Sequence, residues 1–380
     1  MGRQPKLRVL LIVLEHAIWW RRARHVSYCI QLGLEEGLDA NDVEYFTLTT
    51  PWLDRAPEIC AGMRFDQVWI DIVQSHLGDK VLCNSRILDW LAEVAPVRLG
   101  FIPESLDYAS GEKGLRPHLR QRRRNVESRI AYLTHVAACD EADVARINAQ
   151  GLAPAMWWPQ AVPERLICEA DLTPPNHYAV FGGAVYGERA AWLKHPELKA
   201  LMVHLPPPES AVLRPLQFEA LHLSAGLLSR LYPAEASLIL SRYLDRLRII
   251  RRQAFAQWIS GLQAGCAVVN LPHFVKTYAG RVVEGMAAGR PVISWEIPDR
   301  PRNTALFKAN REILLFSRDA PTQLAEHIRH IRREPGFAQQ LVERARRKLR
   351  RFHTLEKRVQ HILRWLEAGD EPDYDDGSVP

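Results

Sequence analysis

Short, largely apolar runs recur along this chain, and most are followed by a segment whose apolar residues repeat at helical spacing. In the first half the runs are Val9–Leu14, Val43–Leu48, Gln67–Val73, Val97–Ile102 and Val136–Cys139. Val26–Leu34, ending near Gly37, and Ser85–Ala95 read as helices between them. An apolar run without polar alternation is a strand buried on both faces, and strands alternating with helices build a parallel sheet through crossover connections. Ligands of such sheets bind beyond the carboxyl ends of the strands. That geometry singles out Glu15 and His16, Glu104 and Ser105, and Asp140 and Glu141.

A proline-punctuated stretch, Met156–Pro163, and the polar segment Asp171–Asn176 interrupt the alternation. It then resumes. Tyr178–Gly183, Ala200–Leu205, Ala267–Leu271, Val292–Trp295 and Ile313–Phe316 read as strands. Gly187–Leu193, a long helix over Ala236–Leu262, and Gly280–Ala288 stopped by Gly289 read as helices. The rest is helical to about Leu366, with Asp319 and Thr354 as caps. The expected organisation is two open α/β, Rossmann-like domains with an interdomain cleft, over 1–165 and 166–352, followed by a C-terminal helix over 353–369. An acidic tail over 370–380 is expected to be disordered.

Length and composition exclude several classes. A chain of 380 residues with 47% hydrophobic and 25% charged residues buries a sizeable core and is neither disordered nor fibrous. No apolar run reaches the roughly 18 residues of a membrane span. Val9–Leu14 is too short for a signal-peptide core. The six cysteines form no C-x-x-C pair, which speaks against a zinc finger or a disulfide framework and for free thiols in a reducing cytoplasm. The net charge is +6, and arginine outnumbers lysine. Nucleic acid, an anionic membrane or a phosphorylated small molecule would each suit that excess. The basic runs Arg120–Arg124 and Arg344–Arg351 are interleaved with Glu127 and Glu343 and lack aromatic neighbours, so they read as solvated helix faces rather than a nucleic-acid platform. A peripheral membrane contact stays open.

The most informative segment is Asn270–Trp295, NLPHFVKTYAGRVVEGMAAGRPVISW. A strand leads into a loop holding Lys276, Thr277, Tyr278 and Gly280, and a helix follows with Arg281 and Glu284. A loop that opens a helix presents free backbone N–H groups and a positive dipole end to an anion. Lys276 and Arg281 add cations, so a diphosphate suits the place. Glu284, one turn on, can accept from two neighbouring hydroxyls. A second candidate follows the first strand of the second domain: Phe181-Gly182-Gly183, with Arg189 beyond. Glycine there lets a ligand approach the backbone, and Arg189 can reach a diphosphate.

The run Glu284-Gly285-Met286-Ala287-Ala288-Gly289-Arg290-Pro291-Val292-Ile293 resembles the donor-binding signature of GT-B glycosyltransferases, in particular the spore-maturation-type, group 1 enzymes. The later Glu312-Ile313-Leu314-Leu315-Phe316 and the ending Phe352-His353-Thr354-Leu355-Glu356-Lys357-Arg358 strengthen the likeness. The resemblance implies the GT-B architecture: an acceptor side in the first domain, a nucleotide-sugar donor held by the second, and a last helix that packs back on the first. It implies that Glu284 holds the ribose hydroxyls. Where the family carries another glutamate near the transferred sugar, this chain has Lys276.

The expected activity is transfer of a sugar from a nucleotide-diphosphate sugar to an acceptor hydroxyl or similar nucleophile, on a glycan, lipid-linked or small-molecule acceptor. No metal and no other cofactor is expected. Donor residues are Glu284, Arg281, Lys276, Gly280, Tyr278, Thr277, Arg189 and Gly183. Glu104 and His16 are the candidate bases. Rival readings are a non-catalytic nucleotide-sugar or glycan-binding protein, a nucleotide-sugar epimerase and a nucleic-acid-associated protein.

Overall fold

The computed structural model describes residues 6–13, 31–73, 82, 85–107, 116–168, 176–185, 187–205 and 215–374. The first half forms a six-stranded parallel sheet of β1 (Arg8–Val13), β2 (Glu44–Thr49), β3 (Gln67–Asp71), β4 (Val97–Ile102), β5 (His135–Ala138) and β6 (Ala155–Trp157), in the order β2-β1-β3-β4-β5-β6. The second half forms a five-stranded parallel sheet of β7 (Ala179–Gly182), β8 (Met202–Leu205), β9 (Val268–Asn270), β10 (Val292–Trp295) and β11 (Leu314–Phe316), in the order β11-β10-β9-β7-β8. Each sheet is the doubly wound, Rossmann-like form, and its strand order reverses once. The reversals lie between β1 and β3 and between β7 and β9. Such a reversal leaves a crevice beyond the strand ends, because the flanking connections depart to opposite faces.

The helices cover both sheets: α1 (Gln31–Ala40), α2 (Ser85–Val94), α3 (Arg116–Ile130), α4 (Glu141–Ala149), α5 (Arg189–Lys194), α6 (Pro215–Leu231), α7 (Ala236–Gln263), α8 (Gly280–Ala287), α9 (Pro301–Ala305), α10 (Pro321–Arg333), α11 (Pro335–Phe352) and α12 (Leu355–Ala368). Central strands are buried on both faces, as Val9 to Ile12 and Trp69 show. The long α7 buries Leu240, Leu244, Leu247, Phe255 and Leu262 at helical spacing. From the second half it reaches back to the first: Arg248 Nε donates to Glu35 Oε2 at 2.9 Å.

The two halves are joined where the chain crosses twice. Val162 pairs with Thr354 in a parallel bridge, and Leu355 N donates to the Val162 carbonyl at 3.0 Å. Thr354 caps α12 by accepting from Lys357 N. α12 then lies on α1, where Gly33 and Gly37 leave room for Leu355 and Val359. Arg358 is fully buried at the crossing. It donates to the carbonyls of Pro159 and Phe352 at 3.0 and 2.8 Å.

Three expectations are corrected. Met156–Pro163 is not all linker: Ala155–Trp157 is a sixth strand, whose Trp157 Nε1 donates to the Cys139 carbonyl at 3.0 Å. The tail is docked as far as Tyr374, which is 5% exposed, donates to the Trp157 carbonyl and lies 4.1 Å over the Arg358 guanidinium. Asp319 caps no helix; Ala320 occupies that position, with proline next.

Candidate donor and acceptor sites

The C-terminal crevice is built from the ends of β7 and β9. β7 closes with Phe181 and Gly182, and Gly183 follows with φ +128. A Cβ on Gly183 would stand 2.7 Å from an Arg281 Nη, so glycine is what lets that guanidinium lie against the backbone. The Arg281 and Arg189 guanidiniums sit 5.1 and 5.3 Å from the Phe181 ring centre. Such cation–π contacts hold two like charges near each other on one apolar platform. Arg281 Nη1 also donates to Asn270 Oδ1 at 2.9 Å, and Asn270 Nδ2 donates to Ser294 Oγ at 2.9 Å, which orients the amide. Arg189 is 2% exposed and donates to the Ala184 carbonyl.

His273 lies in the loop after β9. Its Nδ1 accepts from Val275 N at 2.8 Å. Burial, and then the positive charges of Arg189, Arg281 and Arg318, push its pKa down to about 2, so the ring is neutral. Three guanidiniums therefore bear on one spot. Arg318 arrives from beyond β11, where it pairs with Glu188 and lies 5.7 Å from the Trp295 ring. Beside it a cavity of about 930 Å³ opens at the ends of β10 and β11, lined among others by Trp295, Arg300, Phe307, Lys308 and Arg318.

The remaining donor candidates have partners outside this cluster. Glu284 is 7% exposed, and its Oε2 accepts from Trp258 Nε1 of α7 at 2.8 Å. Gly280 opens α8, with Glu284 Oε1 3.2 Å from where its Cβ would be. Lys276 faces the other half of the molecule, its Nζ 3.3 Å from Asp107 Oδ2. Thr277 is buried beside the Cys139 thiol. Tyr278 is a core residue rather than a surface one: it is 3% exposed, packs near Phe307 and donates its backbone N–H to Asn303 Oδ1.

Across the cleft, Arg300 binds both Asp107 and Asp140. Nη2 meets Asp107 at 2.7 Å, and Nε and Nη2 meet the two Asp140 oxygens at 2.5 and 3.0 Å. Burial alone would raise the Asp107 carboxyl, but Arg300 and Lys276 outweigh it and hold the pKa below the ordinary value. Asp140 is also the N-cap of α4, and Glu141 accepts from Asn303 N at 2.7 Å. Both acids are thereby engaged in holding the halves together. Glu104, at the end of β4, is paired with Arg122 at 2.8 Å. His16 lies outside the described residues. The basic runs are partly internal: Arg346 and Lys348 are buried, and Arg123 pairs with Glu127.

Sequence reasoning missed Asn270, His273, Trp258, Arg300 and Arg318. A strand-end Asn and a His within the highlighted loop were signals in reach. Arg318 had none, because only the folded sheet brings it alongside Arg281. Among the described residues, no group of three or more His, Cys, Asp or Glu side chains is arranged to hold a metal ion. Among them also, no helix is long and apolar enough to cross a membrane.

Residues 225–364 match a family model described as glycosyl transferase-like. Sucrose-phosphate synthase from Thermosynechococcus elongatus superposes with a TM-score of 0.61 at 14% identity, over 96% of this chain and 100% of that one. The chain has the GT-B fold. Anabaena HepE, in a complex with UDP-glucose, gives a TM-score of 0.55 at 10% identity, over 95% of this chain and 100% of that one. A glycosyltransferase from Rickettsia africae gives 0.54 at 11% identity, over 97% and 100%. No curated protein matches the chain by sequence. The glycosyl transferase-like segment takes in α7, the Arg281 loop, α8, Arg300 and Arg318, while Arg189 of the cationic cluster lies before it.

Proposed function

We propose that this protein transfers a sugar from a nucleotide-diphosphate sugar to an acceptor nucleophile, without a catalytic metal. The observation that carries the reading is the convergence of Arg189, Arg281 and Arg318 on the crevice between β7 and β9. Charge grows on the diphosphate as the bond to the sugar breaks. Preoriented guanidiniums in a partly dry crevice oppose that charge without reorganising. Neutral His273 adds no further positive charge. The cavity beyond β10 and β11 has room for a nucleoside, with Trp295 and Phe307 among its walls. The Glu284 carboxylate, oriented by Trp258, would take the ribose hydroxyls. HepE's complex with UDP-glucose supports a uridine diphosphate sugar as the first donor to try. A reducing cytoplasm suits the thiols of Cys60, Cys139, Cys168 and Cys266, none of which is in a disulfide.

The test is thermal shift with UDP-, GDP-, ADP- and dTDP-sugars on the wild type, Glu284→Ala and Arg281→Ala, followed by release of free nucleotide. A selective shift that both variants lose supports the site. Absence of any shift in the wild type overturns it. A shift with no release of nucleotide under any acceptor favours the non-catalytic binding protein instead. Rates unchanged by EDTA are expected, and loss of activity on chelation restored by a divalent cation would overturn the metal-free mechanism.

A further inference from the structure

Exposed large hydrophobic side chains are not scattered evenly over this molecule. Among the described residues most of them lie on the hairpin of α6 and α7 and its turn, including the four most exposed: Leu223 and Leu231 at 62%, Leu227 at 59% and Leu238 at 58%. Leu228 of α6 and Tyr232 of the turn join them. The inner side of α6 is already occupied. His222 lies 5.0 Å from the Trp52 ring, and a Cβ on Gly226 would meet that ring at 3.1 Å. Ser229 accepts from Arg55 through Oγ at 2.9 Å and through its carbonyl at 3.0 Å. These contacts seat the helix on the N-terminal half. Leu223, Leu227 and Leu231 recur every fourth residue, so they form one stripe along a different side of the same helix. Together the six side chains make an apolar patch of several hundred Å², near the upper limit for a free monomer and comparable with the ~800 Å² that a stable dimer takes from each partner.

The charges on the helix select the occupant. Between Gln217 and Leu231, α6 carries two formally charged side chains, Glu219 and Arg230, and both are exposed. Their separation is close to three whole turns, so they stand on one edge of the leucine stripe, about 16 Å apart along the axis. The acid is near the start and the base near the end. A second α6 laid antiparallel on the first, about a two-fold axis between Ser224 and Ala225, brings Glu219 of each copy to Arg230 of the other. The same operation sets Leu223 beside Leu227 of the partner copy. A two-fold contact requires this kind of self-complementary surface. An anionic bilayer would ask for a basic flank instead. Here both signs flank the patch: Glu235 is exposed in the turn, and on α7 Arg242 pairs with Asp245 at 3.8 Å.

We propose that two copies of this protein pair through α6, antiparallel about a two-fold axis. The leucine stripe forms the centre of the contact, and Glu219 and Arg230 form reciprocal ion pairs at its rim. The pairing stands independently of the glycosyltransferase reading.

The test is sedimentation of the full chain over a range of micromolar concentrations, beside flotation with vesicles of phosphatidylglycerol and phosphatidylcholine. The wild type should sediment at twice the mass of one chain and stay off the vesicles. Leu223→Gln with Leu227→Gln should weaken the dimer about 10²-fold or more, as loss of two central contact residues does. Both leucines lie outside the core, so an unchanged far-UV circular dichroism spectrum is expected. Glu219→Arg alone and Arg230→Glu alone should each weaken the dimer about tenfold, and the double reversal should restore it. These charge variants carry the test should the leucine variant not fold. A wild type that stays monomeric at every concentration overturns the proposal, and one that is monomeric yet floats with vesicles assigns the patch to a membrane instead. A dimer that survives the leucine changes overturns it as well. So does one that ignores the single charge reversals or is not recovered by the double reversal, because the antiparallel contact requires both.

Discussion

Arg281 carries three jobs with one side chain. It stacks on Phe181, donates to Asn270 and lies against Gly183. Arg281→Ala should therefore lower kcat/KM for a nucleotide-sugar donor by about 10²- to 10³-fold, the loss seen when one oxyanion donor is removed. Arg281→Lys should recover only a small part, because an ammonium cannot stack and donate in a planar fork at once. Steady-state rates and calorimetric binding of UDP check both. Gly183→Ala should act through the same guanidinium: φ +128 is strained for any side chain and its Cβ would displace Arg281. A loss of about 1–3 kcal/mol in urea unfolding, with weaker UDP binding, is expected. The residues of this cluster differ in how readable they were. Arg281, Lys276 and Glu284 stand in one loop-helix segment, and local spacing was enough to pick them out. Arg318 was hidden, because it sits in a loop with no pattern of its own. The partner of Lys276, Asp107, is 169 residues away, so no local reading could supply it.

At the scale of elements, α1 and α12 pack closely enough to reverse a common rule. Gly to Ala inside a helix ordinarily stabilises by about 1 kcal/mol. At Gly37 the added methyl would clash with the Val359 side chain and stand 2.9 Å from the Leu355 carbonyl, which is backbone and cannot step aside. Gly37→Ala should instead cost about 1–3 kcal/mol. Thr354→Ala, which removes the cap of α12, should cost about 1 kcal/mol. Urea or thermal unfolding reads both. Most strands were legible because a run such as Val9–Val13 is apolar on both faces and so can only be central. β6 was not, since Met156, Trp157 and Trp158 run straight into Pro159 and proline dominates the reading. The docking of Tyr374 was likewise invisible: the acidic residues around it suggest solvation, whereas its ring finds a buried guanidinium from α12. The pairing of α12 with α1 joins residues more than three hundred positions apart, and only the likeness to a family of known architecture suggested it.

At the scale of the molecule, two acids with opposite shifts bracket the pH response. Asp107 has a lowered pKa, so its contribution is present above the ordinary aspartate value and is lost only as pH falls through the folded pKa. The cross-cleft contact should therefore hold through neutrality and loosen only in strong acid. Asp71 has a raised pKa, so its contribution is present at low pH and is lost as pH rises through about 7. Stability measured from pH 5 to 8 should fall by less in Asp71→Asn than in the wild type. Arg300 ties these halves together. Asp140 is wholly buried, and without Arg300 its carboxylate would keep only Ser105 Oγ and Ala142 N. Breaking a buried pair by removing one partner costs about 3–5 kcal/mol, mostly because the other charge is stranded. Arg300→Met should show that loss. Because Arg300 belongs to the C-terminal half and Asp140 to the N-terminal half, it should also separate one unfolding transition into two. Adding Asp140→Leu removes the stranded charge and should restore much of the stability, while the transitions stay apart. If the single variant unfolds in one transition at the wild-type midpoint, the cross-cleft ion pair does not couple the halves.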